Sequence, residues 1–198
     1  MNNSQIGIKK EELRALKKIA IIHTTPVTVE PLKKLVSEVI PDCQVINFVD
    51  DSVLPQLITS NGDLRLVAKR LNSYIEYGFE VGADLVLSAC SSVGEVFDEA
   101  RVKYPKPVLR IDEAMAEQAV RVGGKIGVAA TLLTTLKPTL ELLEKKAQAV
   151  GGKVEFSTVL MNEAYARLLA GDPEGHDTLL QTALNRLAAA CDWVVLAQ

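Results

Sequence analysis

Hydrophobic residues along this chain fall into two alternating kinds of segment. Short continuous runs rich in Val and Ile occupy residues 19–22 (IAII), 45–49 (VINFV), 85–89 (LVLSA), 107–111 (PVLRI), 126–130 (IGVAA), 154–160 and 193–197 (WVVLA). Continuous rather than alternating hydrophobicity predicts strands of a parallel sheet covered on both faces. Between these runs the apolar positions recur at helical spacing. Residues 29–40 place Leu32, Leu35, Val36 and Val39 on one side, and residues 64–77 do the same with Leu64, Val67, Leu71 and Ile75. Further helical stretches cover 114–122, 136–150 and 178–190, with stops at Gly123-Gly124 and Gly151-Gly152. Strand and helix alternating over short links predict an α/β, doubly wound architecture.

The chain also repeats itself. With the second half moved back by 107 positions, IAIIHTTPVTVEPLKKL lies over IGVAATLLTTLKPTLEL, so that Thr24 meets Thr131, Thr28 meets Thr135 and Pro31 meets Pro138. At an offset of 108, GADLVLSAC lies over ACDWVVLAQ and Asp84 meets Asp192. Two matches in the same order at nearly one offset indicate a duplicated α/β unit. The expected organisation is an N-terminal tail at 1–18, a first α/β domain at 19–106 and a second at 107–198.

Composition narrows the function. The 198 residues include 22 Lys and Arg against 25 Asp and Glu, a net charge of −3 that offers no basic surface for nucleic acid. Aromatic residues make up only 5%, too few for a stacking platform. No apolar run approaches the roughly 20 residues of a membrane span, and the polar start lacks a secretory core. These features predict a soluble, cytoplasmic protein with no membrane or nucleic-acid partner. Cys43, Cys90 and Cys191 form no CxxC pair, and His23 and His176 stand far apart, so no metal site is expected.

Ligands of open α/β sheets bind beyond the carboxyl ends of the strands, where helix N-termini present N–H groups. Three loops there carry chemistry: His23 to Thr28 with Thr24, Cys90-Ser91-Ser92 after LVLSA, and Thr131 to Thr135 with Thr134. Their hydroxyls suit a carboxylate, and would serve equally as helix N-caps. Cys90 is the candidate acid/base, because a helix N-terminus favours thiolate over thiol and the ordinary thiol pKa is about 8.5. G-x-S-x-G, Rossmann and P-loop motifs are absent, and GGKIG precedes a strand as a turn. His23 reads either as a second proton donor or as a loop histidine bonding backbone. Arg110 and Asp112, at the end of PVLRI, read either as substrate contacts or as a surface ion pair and a helix-start cap respectively. Asp50 and Asp51 line the site or cap the next turn.

Ala89-Cys90-Ser91-Ser92 resembles the A-C-N-T/S turn that carries the first catalytic cysteine of the aspartate/glutamate/hydantoin racemase superfamily. The segment from Ile126 to Thr134 is similar to its G-V-x-x-T-x-x-T loop, and PVLRIDEAM to the segment opening the second domain. The resemblance implies two pseudo-symmetric, Rossmann-like or flavodoxin-like parallel-sheet domains with the site between them, no cofactor or metal, and self-association. It implies a small carboxylate or amino-acid substrate, with Cys90 as one acid/base and Ser91, Ser92, Thr131 and Thr134 holding the carboxylate. Where the family carries its second cysteine, in an L-G-C turn, this chain has Gln198, and the internal repeat also sets Gln198 opposite Cys90. An amide can contact a substrate but cannot shuttle a proton near neutral pH. The resemblance further implies a helix and a return to the first domain beyond position 198. Three activities are therefore expected to compete: a racemase or epimerase, a single-thiol decarboxylase or cis–trans isomerase of a small dicarboxylate, and a non-catalytic binding protein. Malonate-type decarboxylases of the superfamily keep their lone cysteine at the second-half position, opposite to Cys90.

Overall fold

A computed structural model describes residues 15–197. Gln198 lies outside the described residues. In chain order the elements are β1 (Lys18–His23), α1 (Val29–Val39), β2 (Gln44–Val49), α2 (Val53–Thr59), α3 (Arg65–Glu80), β3 (Leu85–Ser88), α4 (Gly94–Arg101) and β4 (Val108–Arg110), then α5 (Glu113–Val122), β5 (Gly124–Ala130), α6 (Leu133–Val150), β6 (Val154–Leu160), α7 (Asn162–Leu169), α8 (Pro173–Ala190) and β7 (Trp193–Ala197). Single 3-10 turns, Pro26–Thr28 and Ser91–Val93, precede α1 and α4. The chain divides into two units after Ile111.

The first unit holds a four-stranded parallel sheet in the order β2-β1-β3-β4. The strand order reverses between β1 and β3, whose register runs from Ile19↔Leu85 to Ile22↔Ser88. In open α/β sheets such a reversal is the point at which ligands bind, beyond the carboxyl ends of the two strands. On one face Ile19, Ile21 and Leu85 pack with Leu32 and Val36 of α1. On the other, Ala20, Ile22 and Val86 pack with Val53 and Leu57 of α2, Val67, Leu71 and Ile75 of α3, and Val96 and Phe97 of α4. The helical stripe read for α1 is only half used, since Leu35 and Val39 stay exposed. Gly78 lets α3 sit close on the sheet, because a Cβ there would lie 3.0 Å from both Ala20 Cβ and Val86 Cγ2.

The second unit repeats this design with a three-stranded parallel sheet in the order β6-β5-β7. Its core joins Ile126, Val128 and Val195 to Ala116, Ala119 and Val120 of α5 and to Leu136, Leu142 and Leu143 of α6. Lys146 of α6 binds Glu113 at 2.7 Å and Glu117 at 2.8 Å on α5. Burial opposes a charge on Lys146, but the two carboxylates outweigh it and raise its pKa. Both sheets are parallel with helices interleaved, which is the α/β architecture the hydrophobic pattern predicts.

The repeat is visible in individual hydrogen bonds. Asp84 accepts N–H bonds from Lys17 (2.9 Å) and Lys18 (3.0 Å), while its own N–H reaches Lys18 O (2.8 Å). Asp192 accepts from Lys125 N–H (2.8 Å), and its N–H reaches Lys125 O (2.8 Å). Each aspartate therefore ties the strand it starts to the central strand of its own sheet.

Several boundaries differ from the sequence reading. The PVLRI segment, which the repeat and the resemblance set at the opening of the second half, supplies the edge strand of the first sheet through Val86↔Val108 to Ser88↔Arg110. Val108 is buried in the first core, which decides its placement. α8 begins at Pro173 rather than 178, because the Asp172 carboxylate accepts the Gly175 N–H (2.9 Å) and Pro173 takes the first helical position. The short helices α2 and α7 do not show in the hydrophobic pattern, each having two turns or so in which periodicity hardly registers, and α4 shows only as a helix start after Cys90.

Candidate active site

Cys90 follows β3 directly and has extended backbone (φ −138°, ψ 122°) before the chain turns into Ser91–Val93 and α4. The thiol thus precedes a 3-10 turn, and the α-helix proper begins only at Gly94. Cys90 is a free, half-buried cysteine packed against the core beneath α3 and α4. The fully buried Ser88 locks its backbone: the Ser88 hydroxyl donates to Cys90 O (3.0 Å) and accepts the Cys90 N–H (3.3 Å). Ser91 and Ser92 are buried in the turn that follows.

Thr24 leaves β1, the strand that pairs with β3, and Ala89 N–H bonds Ile22 O (2.9 Å). The first unit therefore brings Thr24 and Cys90 to neighbouring strand ends at the point where strand order reverses. The residues heading the two 3-10 turns, Thr25 and Cys90, make no side-chain capping bond, and the residue heading α6 is Leu132.

His23 is fully buried and bonds side chains, not backbone. Burial pushes its pKa down, against the opposing effect of its hydrogen bond with Asn47. With the imidazole neutral, Nε2–H donates to Asn47 Oδ1 (2.9 Å) and Nδ1 accepts the Thr28 hydroxyl (2.7 Å). Both ring nitrogens are thus engaged in holding the β1–α1 loop to β2, which removes His23 as a proton donor. Asp50, after β2, accepts from Ser52 N–H (3.2 Å), Tyr74 OH (3.0 Å) and Arg70 Nη1 (2.9 Å). Burial opposes ionisation of Asp50, but the bonds from Ser52 and Tyr74 and the Arg70 charge outweigh it, so its carboxyl titrates below the ordinary value. The capping reading of Asp50 holds.

Arg110 departs from its sequence reading. Its side chain is 3% exposed, and Nη1 donates to Asp98 Oδ2 of α4 at 3.1 Å. The guanidinium lies across Gly94, occupying the space that a Cβ would need. Asp112 stands at the head of α5 as expected, although its side chain makes no capping bond there.

In the second unit Thr131 is buried after β5, and Thr134 lies in the first turn of α6. The Thr134 Oγ1 is buried with no hydrogen-bond partner. Pro138, one turn on, has no N–H to give the Thr134 carbonyl, so that carbonyl also lacks its usual helical partner. Cys191 Sγ closes over Gly127 and Cys43 lies against the core beneath α1, so both serve packing. Among the described residues no group of three or more His, Cys, Asp and Glu is arranged to hold a metal ion, and no helix is long and apolar enough to cross a membrane.

Sequence reasoning missed Ser88, Asn47 and the Gly94–Asp98–Arg110 cluster. A signal was present in two cases. Asn47 interrupts VINFV and Arg110 interrupts PVLRI, and a polar side chain inside an apolar strand demands a partner.

A search of curated proteins by sequence finds no match. Among solved structures, the aspartate racemase of Picrophilus torridus is similar with a TM-score of 0.66 at 17% identity, over 91% of this chain and 80% of that one. The glutamate racemase of Campylobacter jejuni subsp. jejuni is similar with a TM-score of 0.57 at 18% identity, over 85% of this chain and 66% of that one. These likenesses share the fold. The family model for Asp/Glu/hydantoin racemase matches residues 19–198, a span that includes the Cys90 turn and the Thr131–Thr134 loop, and the chain belongs to that family.

Proposed function

We propose that this chain is a cofactor-independent racemase or epimerase acting at the α-carbon of an amino acid or related small carboxylate, with Cys90 as its thiol acid/base. Family membership supports a racemase-type enzyme. The observation that carries the thiol assignment is the free, half-buried Cys90 held by Ser88 at the strand-order reversal of the first sheet. A thiolate there takes the α-proton, and the electron pair of the broken C–H bond passes into the substrate carboxylate to give an enediolate. Thr24, Ser91 and Ser92 in the first unit, and Thr131 and Thr134 in the second, are each assigned carboxylate contacts through hydroxyl or backbone N–H groups, which gain strength as negative charge builds on carboxylate oxygens. The unpartnered Thr134 hydroxyl supports this reading, since a buried donor without a partner is costly unless a ligand supplies one. Protonation of the opposite face by solvent water yields the enantiomer. Reprotonation by Cys90 itself returns the starting hand.

The second position is where a variant reading enters. The repeat aligns Gln198 with Cys90, and glutamine supplies no proton near neutral pH. A single thiol is sufficient to protonate an enediolate left by decarboxylation, or to add to and leave from an alkene during cis–trans isomerisation. One experiment separates the readings. Single enantiomers of amino acids and small carboxylates are incubated in D2O with wild type and Cys90→Ala, following optical rotation and α-deuterium. Inversion with deuterium incorporation, both lost in Cys90→Ala, establishes the racemase. Exchange without inversion, or turnover of a malonate or maleate, moves the assignment to single-thiol chemistry. Ligand-induced thermal stabilisation in both proteins without any turnover would leave a binding protein.

A further inference from the structure

We propose that Arg110 is a positioning residue for the Cys90 turn, its guanidinium fixing the first turn of α4 against the thiol-bearing strand end. The inference rests on the Cys90 reading above and extends it to a residue that touches no substrate. Ser88 and Arg110 are register partners on β3 and β4. From that shared position two tethers diverge. The Ser88 hydroxyl holds both backbone groups of Cys90, and the Arg110 guanidinium crosses Gly94, the first residue of α4, to reach Asp98. Arg101 adds a second tie between the same helix and strand, with Nε donating to Val108 O (3.0 Å). The four residues from Cys90 to Val93 are thus clamped at both ends by one pair of strand positions.

Stability alone does not explain an arginine here. A buried guanidinium carries a large desolvation cost, and apolar groups of similar volume commonly serve as well or better. A cation at the first turn of a helix also opposes the helix dipole, which favours an anion there. What the planar fork provides is orientation. It fills the space a Cβ on Gly94 would need and pairs with Asp98 one turn further on, so α4 has little freedom to rotate or slide about its start. The Ser91–Val93 turn adjoins the thiol along the chain, and small displacements of a reacting group cost reactivity steeply.

The test reads Cys90 directly. Iodoacetamide alkylation at pH 7 is followed by peptide-resolved mass spectrometry in wild type, Arg110→Met, Arg110→Lys and Gly94→Ala, with Cys43 of the same unit as internal reference. Arg110→Met and Gly94→Ala, the second displacing the guanidinium without removing it, are expected to slow Cys90 about tenfold while Cys43 is unchanged, because the thiolate is the reactive form. Arg110→Lys keeps the charge without the fork and falls between. General loosening of the unit would raise both thiols together, and an unchanged or raised Cys90-to-Cys43 ratio overturns the proposal. Deuterium exchange on the same proteins distinguishes the two readings. A lowered ratio in a protein that never exchanges an α-proton upholds Arg110 and refutes the racemase. Exchange with an unmoved ratio refutes Arg110 alone.

Discussion

Thr134 shows what a single buried hydroxyl reveals. Its Oγ1 has no partner, and the neighbouring Pro138 withdraws an N–H from the same turn. Replacing Thr134 by the isosteric Val removes the orphaned group and keeps the shape, so the variant is expected to be more stable by about 1 kcal/mol. Substrate affinity is expected to move the opposite way, with KM rising about tenfold as one charge-assisted bond is lost. Urea unfolding and steady-state kinetics on one preparation check both halves. A destabilised variant with unchanged KM would show the hydroxyl to be structural. Asp50 gives a residue-scale prediction in pH. Its folded carboxyl titrates below the ordinary 3.8, so its contribution is fully present above that value and is lost as pH falls through the lower folded one. Asp50→Asn removes the contribution at neutral pH and leaves a shallower loss of stability in acid, seen by comparing the two proteins' unfolding midpoints from pH 6 down to pH 2.

Among the elements, α3 makes the sharpest packing demand. A Cβ on Gly78 would stand 3.0 Å from both Ala20 and Val86, closer than ordinary contact, and both neighbours belong to the sheet's central strands. Gly78→Leu must push the helix away and is expected to cost about 3 kcal/mol, measured by urea unfolding. A loss under 1 kcal/mol would mean the helix shifts freely. The hydrophobic pattern alone discloses most of these elements, because long strands such as VINFV and helices such as α3 bury enough apolar surface for period to show. It discloses the site less well. Cys90, Ser91, Ser92 and the Thr131 loop stand out because they follow strands and repeat at one offset. Ser88 is hidden, and Asn47 and Arg110 show only as polar interruptions of apolar strands, because their partners lie 2, 24 and 12 residues away and are met only on folding. The surface pair expected for Arg110 fails for the same reason: Gly94, a residue with no side chain, makes the buried seat.

At the scale of the molecule the duplication becomes an energetic statement. Asp84 and Asp192 make matching bonds, each joining the start of one strand to the central strand of its own sheet, and the cores around them share no residue. Backbone N–H bonds hold the Asp84 carboxyl below its ordinary value, which marks the tie as one made in the folded state. Cutting one tie should therefore loosen one unit. Asp84→Ala is expected to speed amide exchange about fivefold in β1 and β3, the equivalent of roughly 1 kcal/mol for a lost hydrogen bond, leaving β5 and β7 at wild-type rates. Asp192→Ala reverses the pattern. Native-state hydrogen exchange resolved by peptide measures all four strands in each protein. Equal acceleration of both sheets in both variants would show instead that the two halves open as one cooperative body. A duplicated fold that opens half by half could lose order around Thr131 while the Cys90 turn stays closed, because each half keeps its own strand ties.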